Sequence, residues 1–234
     1  MDNFNDIGIS NKLDPKRIQK LLLIGLLAAL LAIAADMILG WSIVSEGSEF
    51  GTFSKYIGIS DQRIFWSALL GLIGIPLETL AYFGVYRLFA SISLKRAHTY
   101  RTGIIGILTF GSFTHVVCCA AVYYLNRMNE LNSSDVLNET LRFAGYFLGP
   151  VTVIFFVFYL IFIITHIIGF AKGDSPLPKW CAVFNPAMGI VIVAILRLFG
   201  NHEWVNALST AWISIGGIFT FAGLLTACRK YLKV

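Results

Sequence analysis

The sequence predicts an all-α fold: an integral membrane helical bundle of six transmembrane helices with both termini in the cytoplasm. Three observations predict it: a composition too apolar for a water-facing surface, six long apolar runs, and basic residues gathered on alternate loops. Of 234 residues, 57% are hydrophobic and 13% charged, and the mean hydropathy is +0.75. Soluble domains carry about 25% charged residues, and half that number leaves most of a protein surface without polar cover. The net charge of +5 does not point to nucleic acid, because the basic residues sit in short clusters between apolar runs, as membrane topology requires.

A membrane helix needs about 20 mostly apolar residues. The first candidate lies near 17–44 and opens with Asp14-Pro15, a capping carboxylate ahead of a first-turn proline. Its basic start and Ala32-Ile33-Ala34 also fit a cleavable secretory signal. The apolar run continues through Met37 to Trp41, however, so an uncleaved span is expected. The second span lies near 64–90 and contains Pro76; the third lies near 101–126. The fourth, near 141–171, carries Gly145 and Gly149 in G-x-x-x-G spacing, a packing face, followed by Pro150. The fifth, near 180–199, follows Pro178 and contains Asn185-Pro186, read as a kink whose freed carbonyls the neighbours satisfy. The sixth, near 205–229, follows Asn201. No polar stretch between spans is long enough to fold alone, so residues 1–234 read as one membrane domain.

Loop charge sets the expected orientation. Lys12, Lys16, Arg17, Lys20, Arg87, Lys95, Arg96, Arg101, Lys172, Lys179, Arg229, Lys230 and Lys233 fall on one side. Lys55, Arg63, Arg127, Arg142 and Arg197 fall on the other. The richer side is expected in the cytoplasm, and Trp41, Trp66 and Trp204 then mark the outer interface. The four cysteines, Cys118, Cys119, Cys181 and Cys228, form no C-x-x-C pair or disulfide framework and read as small packing residues.

The chemistry is expected where ionisable groups interrupt the apolar runs. Gly25, Ala28, Ala29 and Ala32 form a small-residue face that Asp36 continues. Gly71 and Gly74 lead in the same way to Glu78 and Tyr82, and Gly111 and Ser112 lead to His115. A charge facing lipid costs at least ~2.5 kcal/mol, whereas a small face is where helices approach, so each of these groups is expected to face the bundle. Asp36, Glu78 and His115 are the leading candidates for substrate binding or proton relay. His166, Asn185, Arg197, Tyr82 and Ser112 are secondary. A rise of about 1.5 Å per residue places Asp36, His115 and Arg197 in an outer layer and Glu78, His166 and Asn185 in an inner one. An Asp36–Arg197 ion pair, a snorkelling Arg197 and a simple hydrogen bond at His166 are the structural alternatives. His98 and His202 are expected in solvated loops. No metal-ligand set is assigned, and the cofactor is left open.

Asn132-Ser133-Ser134 and Asn138-Glu139-Thr140 fit the N-glycosylation pattern on the expected outer side. The strings Ala34-Ala35-Asp36-Met37-Ile38-Leu39-Gly40, Gly74-Ile75-Pro76-Leu77-Glu78, and Pro178-Lys179-Trp180 followed by Asn185-Pro186 resemble a family of small bacterial membrane proteins known only as a domain of unknown function. That resemblance implies a prokaryotic plasma membrane, supplies no activity and makes both glycosylation matches accidental.

Three function classes follow. The first is a protein that binds or transports a small molecule or ion, with a cationic ligand suggested by the carboxylates; six helices are few for a monomeric carrier, so a homodimer goes with it. The second is an intramembrane enzyme acting on a lipid-like substrate, a metal-dependent hydrolase in one version, which needs His202 to fold inward as a third histidine. The third is a non-catalytic assembly or sensor protein. The lipid bilayer is the expected partner in all three.

Overall fold

A computed structural model describes residues 13–131 and 135–232, all strands being absent among them. Lys12, Lys233 and the Asn132-Ser133-Ser134 match lie outside the described residues. The elements in chain order are α1 (Pro15–Gly40), a 3-10 turn (Gly51–Tyr56), α2 (Asp61–Ala81), α3 (Phe83–Ala90), α4 (Leu94–Glu130), α5 (Val136–Phe143), a π-helical turn (Ala144–Leu148) and α6 (Gly149–Lys172). They are followed by a 3-10 turn (Lys179–Val183), α7 (Met188–Leu196), a 3-10 turn (Arg197–Phe199), α8 (Glu203–Thr210) and α9 (Trp212–Tyr231).

Local chemistry explains the boundaries. Asp14 Oδ1 accepts from the Arg17 backbone N–H at 3.0 Å, so the expected cap forms ahead of Pro15. The far end of α1 is closed by Arg63 of α2, which donates from Nε and Nη2 to the Ile38 carbonyl at 3.0 and 2.7 Å, and from Nη2 to that of Trp41 at 2.9 Å. A guanidinium at a helix C-terminus satisfies orphan carbonyls and opposes the helix dipole. Asn201 does not cap α8. It bonds both the N–H and the carbonyl of Val44, tying the loop before α8 to the loop after α1.

Small residues set the helix contacts. A methyl group at Gly74 would stand 3.0 Å from the Ala32 backbone nitrogen, and one at Gly25 would overlap Phe221 and Ala81. The expected Gly145/Gly149 face is not one of these contacts. A methyl at Gly145 would meet nothing within 4 Å, and one at Gly149 would meet only the Ala144 carbonyl of the π-helical turn at 3.8 Å. Asn138-Glu139-Thr140 lies within α5, with Thr140 buried and bonded back to the Val136 carbonyl.

Among the described residues five helices are long and apolar enough to cross a membrane: Pro15–Gly40, Asp61–Ala90, Leu94–Glu130, Val136–Lys172 and Trp212–Tyr231. The sixth expected span, 180–199, is not a continuous helix. It consists of a 3-10 turn, an irregular stretch at Phe184–Ala187 and the short helix α7. Pro186 cannot donate a backbone hydrogen bond, and Asn185 turns its side chain onto its own backbone instead. Asn185 Nδ2 donates to the Ala182 and Val183 carbonyls at 2.9 and 3.2 Å, and its Oδ1 accepts from the Ala187 N–H at 3.1 Å. The broken segment nevertheless runs antiparallel along α9. Trp180 meets Tyr231, Phe184 meets Phe219, and Gly189 sits on the backbone of Trp212 and Gly216.

Candidate functional site

Three helices bring the leading candidates to one cavity. Asp36 comes from α1, Glu78 from α2 and His115 from α4, and all three line a chamber of about 160 Å³. Tyr82, Thr114, Tyr159 and Ser214 supply further polar groups, and Phe155 and Phe162 supply aromatic walls. Glu78 is 6% exposed, so its charge chemistry is directed at the chamber rather than at solvent. The expected outer and inner layers both open on this chamber: Gly74 of α2 stands against Ala32 and Ala28 of α1 and Gly71 against His115, so Glu78 lies about two turns inward of Asp36 and His115.

Glycines admit the two acidic and basic side chains at close range. A methyl at Gly71 of α2 would overlap the His115 imidazole, and a methyl at Gly217 of α9 would overlap the Glu78 carboxyl. The small face read from the sequence at Gly71 is thus a seat for the ring of a neighbouring helix.

The hydrogen bonds of His115 fix its protonation pattern. Its Nε2 lies 3.0 Å from the Ser67 backbone carbonyl, which can only accept, so Nε2 carries a proton. Its Nδ1 lies 3.3 Å from Asp36 Oδ1. Two lone pairs facing each other repel, so a further proton must lie between them, on the imidazole or on the carboxyl. The Asp36–His115 pair therefore holds one exchangeable proton at the cavity wall.

A second chamber of about 300 Å³ adjoins the first, and the two share Asp36, His115, Cys118 and Thr210 as lining residues. Its remaining walls are almost wholly apolar and come from the 3-10 turn after α1, from α4, from α5 and from the π-helical turn. Tyr56 supplies a hydroxyl there, and burial, reinforced by the neighbouring Cys118, pushes its pKa up to about 12. Tyr56 is accordingly a neutral group at physiological pH.

The secondary candidates separate. Tyr82 lines the smaller chamber, with its ring packed on Phe162 and Phe221 at 4.7 and 4.4 Å. His166 does not. It is fully buried, donates from Nε2 to the Phe184 carbonyl at 2.8 Å and accepts at Nδ1 from the Tyr100 hydroxyl at 3.1 Å. Asn185 shapes the break described above, and its neighbour Pro186 reaches the chamber. Arg197 is exposed and bonds Ser209 at 3.4 Å, while Asp36 pairs with His115 rather than with Arg197. Ser112 is buried beside the lining residue Gly111, and its hydroxyl lacks a partner among the described residues.

Sequence reasoning missed Thr210, Ser214, Tyr159 and Thr114. Thr210 and Ser214 stand four residues apart and lead to Gly217, the same small-polar spacing that marked the other faces. Tyr159 gives no such signal within its run of aromatic residues, yet its buried hydroxyl is left without a partner at the chamber wall.

The described residues contain no group of three His, Cys, Asp or Glu side chains placed to hold a metal ion. The zinc version of the enzyme reading needs His202 inside the bundle. His202 instead stands exposed before α8, its ring parallel to that of Trp204.

One comparison places the chain. The model of a family of unknown function, DUF6796, matches residues 4–231. The chain belongs to that family. No curated protein and no solved structure matches it. The five long apolar helices are consistent with a membrane protein.

Proposed function

We propose that this protein binds a small organic cation in the chamber of Asp36, Glu78 and His115, in exchange for a proton, as one step of transport across a membrane. The observation that carries the reading is the convergence of two carboxyl groups and a proton-sharing histidine, from three helices, on one chamber. A charge in the bilayer interior needs a counter-charge, and a monocation beside Glu78 supplies one. The aromatic rings of Tyr82, Phe155, Tyr159 and Phe162 give an organic cation faces to lie against. The proton between Asp36 and His115 is the resident cation, and the ligand takes its place.

Topology supports the same reading. The broken segment carries the chain from the end where Arg96 pairs with Asp174 to the end where Asn201 bonds Val44. Adding that crossing to the five long helices makes six, which returns both termini to one side. That side carries most of the basic residues, and under the positive-inside rule this supports placing it in the cytoplasm. A discontinuous helix beside a polar midplane chamber is a recurrent arrangement in transporters, where broken helices line the substrate site, and Pro186 at the break lines this chamber.

The test is equilibrium binding to the purified protein in lipid nanodiscs, using methylammonium, guanidinium and tetramethylammonium, followed by uptake into proteoliposomes. At least one cation is expected to bind saturably. Glu78→Gln is expected to weaken that binding by roughly ten- to a hundredfold, the scale of a charge-assisted contact. A wild-type protein that binds none of them, or a Glu78→Gln variant that binds equally well, overturns the proposal.

A further inference from the structure

The smaller chamber ends at a row of side chains, the neck, that it shares with the larger one. Asp36, His115, Cys118 and Thr210 line both the smaller and the larger chamber, so these side chains form the partition between the two spaces. Beyond the neck the chemistry changes. Leu39, Val122, Leu125, Leu137, Leu141 and Leu148 turn apolar side chains to the larger space. Nothing in that lining offers a charge, and Tyr56 is neutral. A hydrophilic solute gains nothing from such a wall, whereas a hydrocarbon chain does.

We infer that the ligand is amphiphilic: a cationic head in the Glu78 chamber, with an alkyl or comparably apolar tail passing the Asp36–His115 neck into the larger chamber. The inference rests on the cation-binding reading and names the class of ligand that such a site takes. Two features of the larger chamber fit a tail. Its volume of about 300 Å³ exceeds that of the head chamber at about 160 Å³. One wall is the π-helical turn Ala144–Leu148, whose ring side chains Tyr146 and Phe147 are 70% and 60% exposed. A π-helical turn interrupts the regular side-chain register and is enriched at functional sites. Here it sets Ala144 and Leu148 toward the chamber, while the aromatic residues between them face outward. The tail chamber is thereby bounded on one side by a single turn of helix that borders the surroundings of the protein.

The experiment compares tetramethylammonium with decyltrimethylammonium, which share a head and differ in tail, on wild-type protein and on Ala121→Phe. Ala121 lines the larger chamber alone, so the added ring occupies tail space and leaves the head chamber intact. Partition of the long-chain ligand into the nanodisc is the same for both proteins, so the ratio of their affinities isolates the chamber. Ala121→Phe is expected to weaken decyltrimethylammonium by roughly tenfold or more, the effect of displacing two or three methylenes at about fourfold each. The same variant is expected to leave tetramethylammonium within about twofold, on the scale of a surface change. Ala144→Phe, at a second residue that lines the larger chamber alone, repeats the test if Ala121→Phe does not fold. Tetramethylammonium binding combined with equal loss, or no loss, for both ligands overturns the amphiphile and leaves the cation site standing. Absence of binding by either ligand to the wild-type protein overturns both readings.

Discussion

Two histidines in this bundle begin from the same bond and end in different chemistry. His115 and His166 each donate from Nε2 to a backbone carbonyl, of Ser67 at 3.0 Å and of Phe184 at 2.8 Å. They differ at Nδ1. His166 meets the hydroxyl of Tyr100, which donates a proton and closes the neutral tautomer without residue. His115 meets the carboxyl of Asp36, which leaves one more proton to be housed. The surroundings follow the same division. His166 is packed among the rings of Phe89, Phe162 and Phe170 with no exposed surface. His115 faces two chambers. A buried histidine is therefore not a functional signal in itself. The partner of its second nitrogen, and the space beside it, decide whether it fastens helices or handles a proton.

The comparison breaks first at His166. Replacing it with Ala removes a ring from a packed core and strands both the Phe184 carbonyl and the Tyr100 hydroxyl. The expected loss of stability is about 3–5 kcal/mol, combining a cavity with unpaired polar groups. It is measured by reversible unfolding in mixed micelles. Because Phe184 opens the break at Asn185-Pro186, the damage is expected to localise there, as loss of amide-exchange protection over residues 179–187. An unfolding free energy unchanged within about 1 kcal/mol, the ordinary scale of a single net hydrogen bond, removes His166 from its fastening role.

A smaller effect is expected at Gly71, where the His115 ring rests on α2. Gly71→Ala forces the ring away from Ser67, at an overpacking cost of about 1–3 kcal/mol. Cation binding is expected to fall with it, since the displaced imidazole can no longer hold its distance to Asp36. The same substitution at Gly145, where a methyl meets nothing, is expected to change stability by less than about 0.5 kcal/mol. Equal responses at the two glycines, followed by thermal unfolding, contradict the assignment of Gly71 as the seat of the ring.

The sequence made the acidic half of this site legible and hid the rest, for physical reasons. Asp36, Glu78 and His115 stand out because an ionisable group in an apolar run has few tolerable environments, and the glycines and alanines one turn away indicate which way it faces. Depth was legible as well. Counting residues from flanking charges separated Glu78 from Asp36, and the contact of Gly74 with Ala28 and Ala32 keeps them about two turns apart; what counting did not reveal is that one chamber spans that distance. The tail chamber left no mark at all, since Leu137, Leu141 and Leu148 look the same in sequence whether they face lipid or line a cavity. The fifth span shows the opposite limit. Asn185-Pro186 announced a kink, but α-helix is lost over the whole of 179–187, where a 3-10 turn leads into a stretch in which the Asn185 side chain holds the carbonyls of Ala182 and Val183.

The finest test lies in the proton itself. If cation entry releases the proton held between Asp36 and His115, apparent affinity rises with pH, by at most tenfold per unit for one proton exchanged. The sign follows from mass action: protons compete for the site, so acid weakens binding and base strengthens it. Asp36→Asn alters this with little disturbance, because an amide N–H can donate to His115 Nδ1 where the shared proton stood. The neutral tautomer demanded by Ser67 is then complete, as it is at His166. The stability cost is expected to be about 1 kcal/mol, the scale of one exchanged hydrogen bond. The pH slope of binding is expected to flatten even where residual affinity for the cation persists at Glu78. A slope that survives Asp36→Asn moves the exchanged proton to another group; a slope absent from the wild-type protein removes proton exchange while leaving the cation site to be judged by Glu78→Gln.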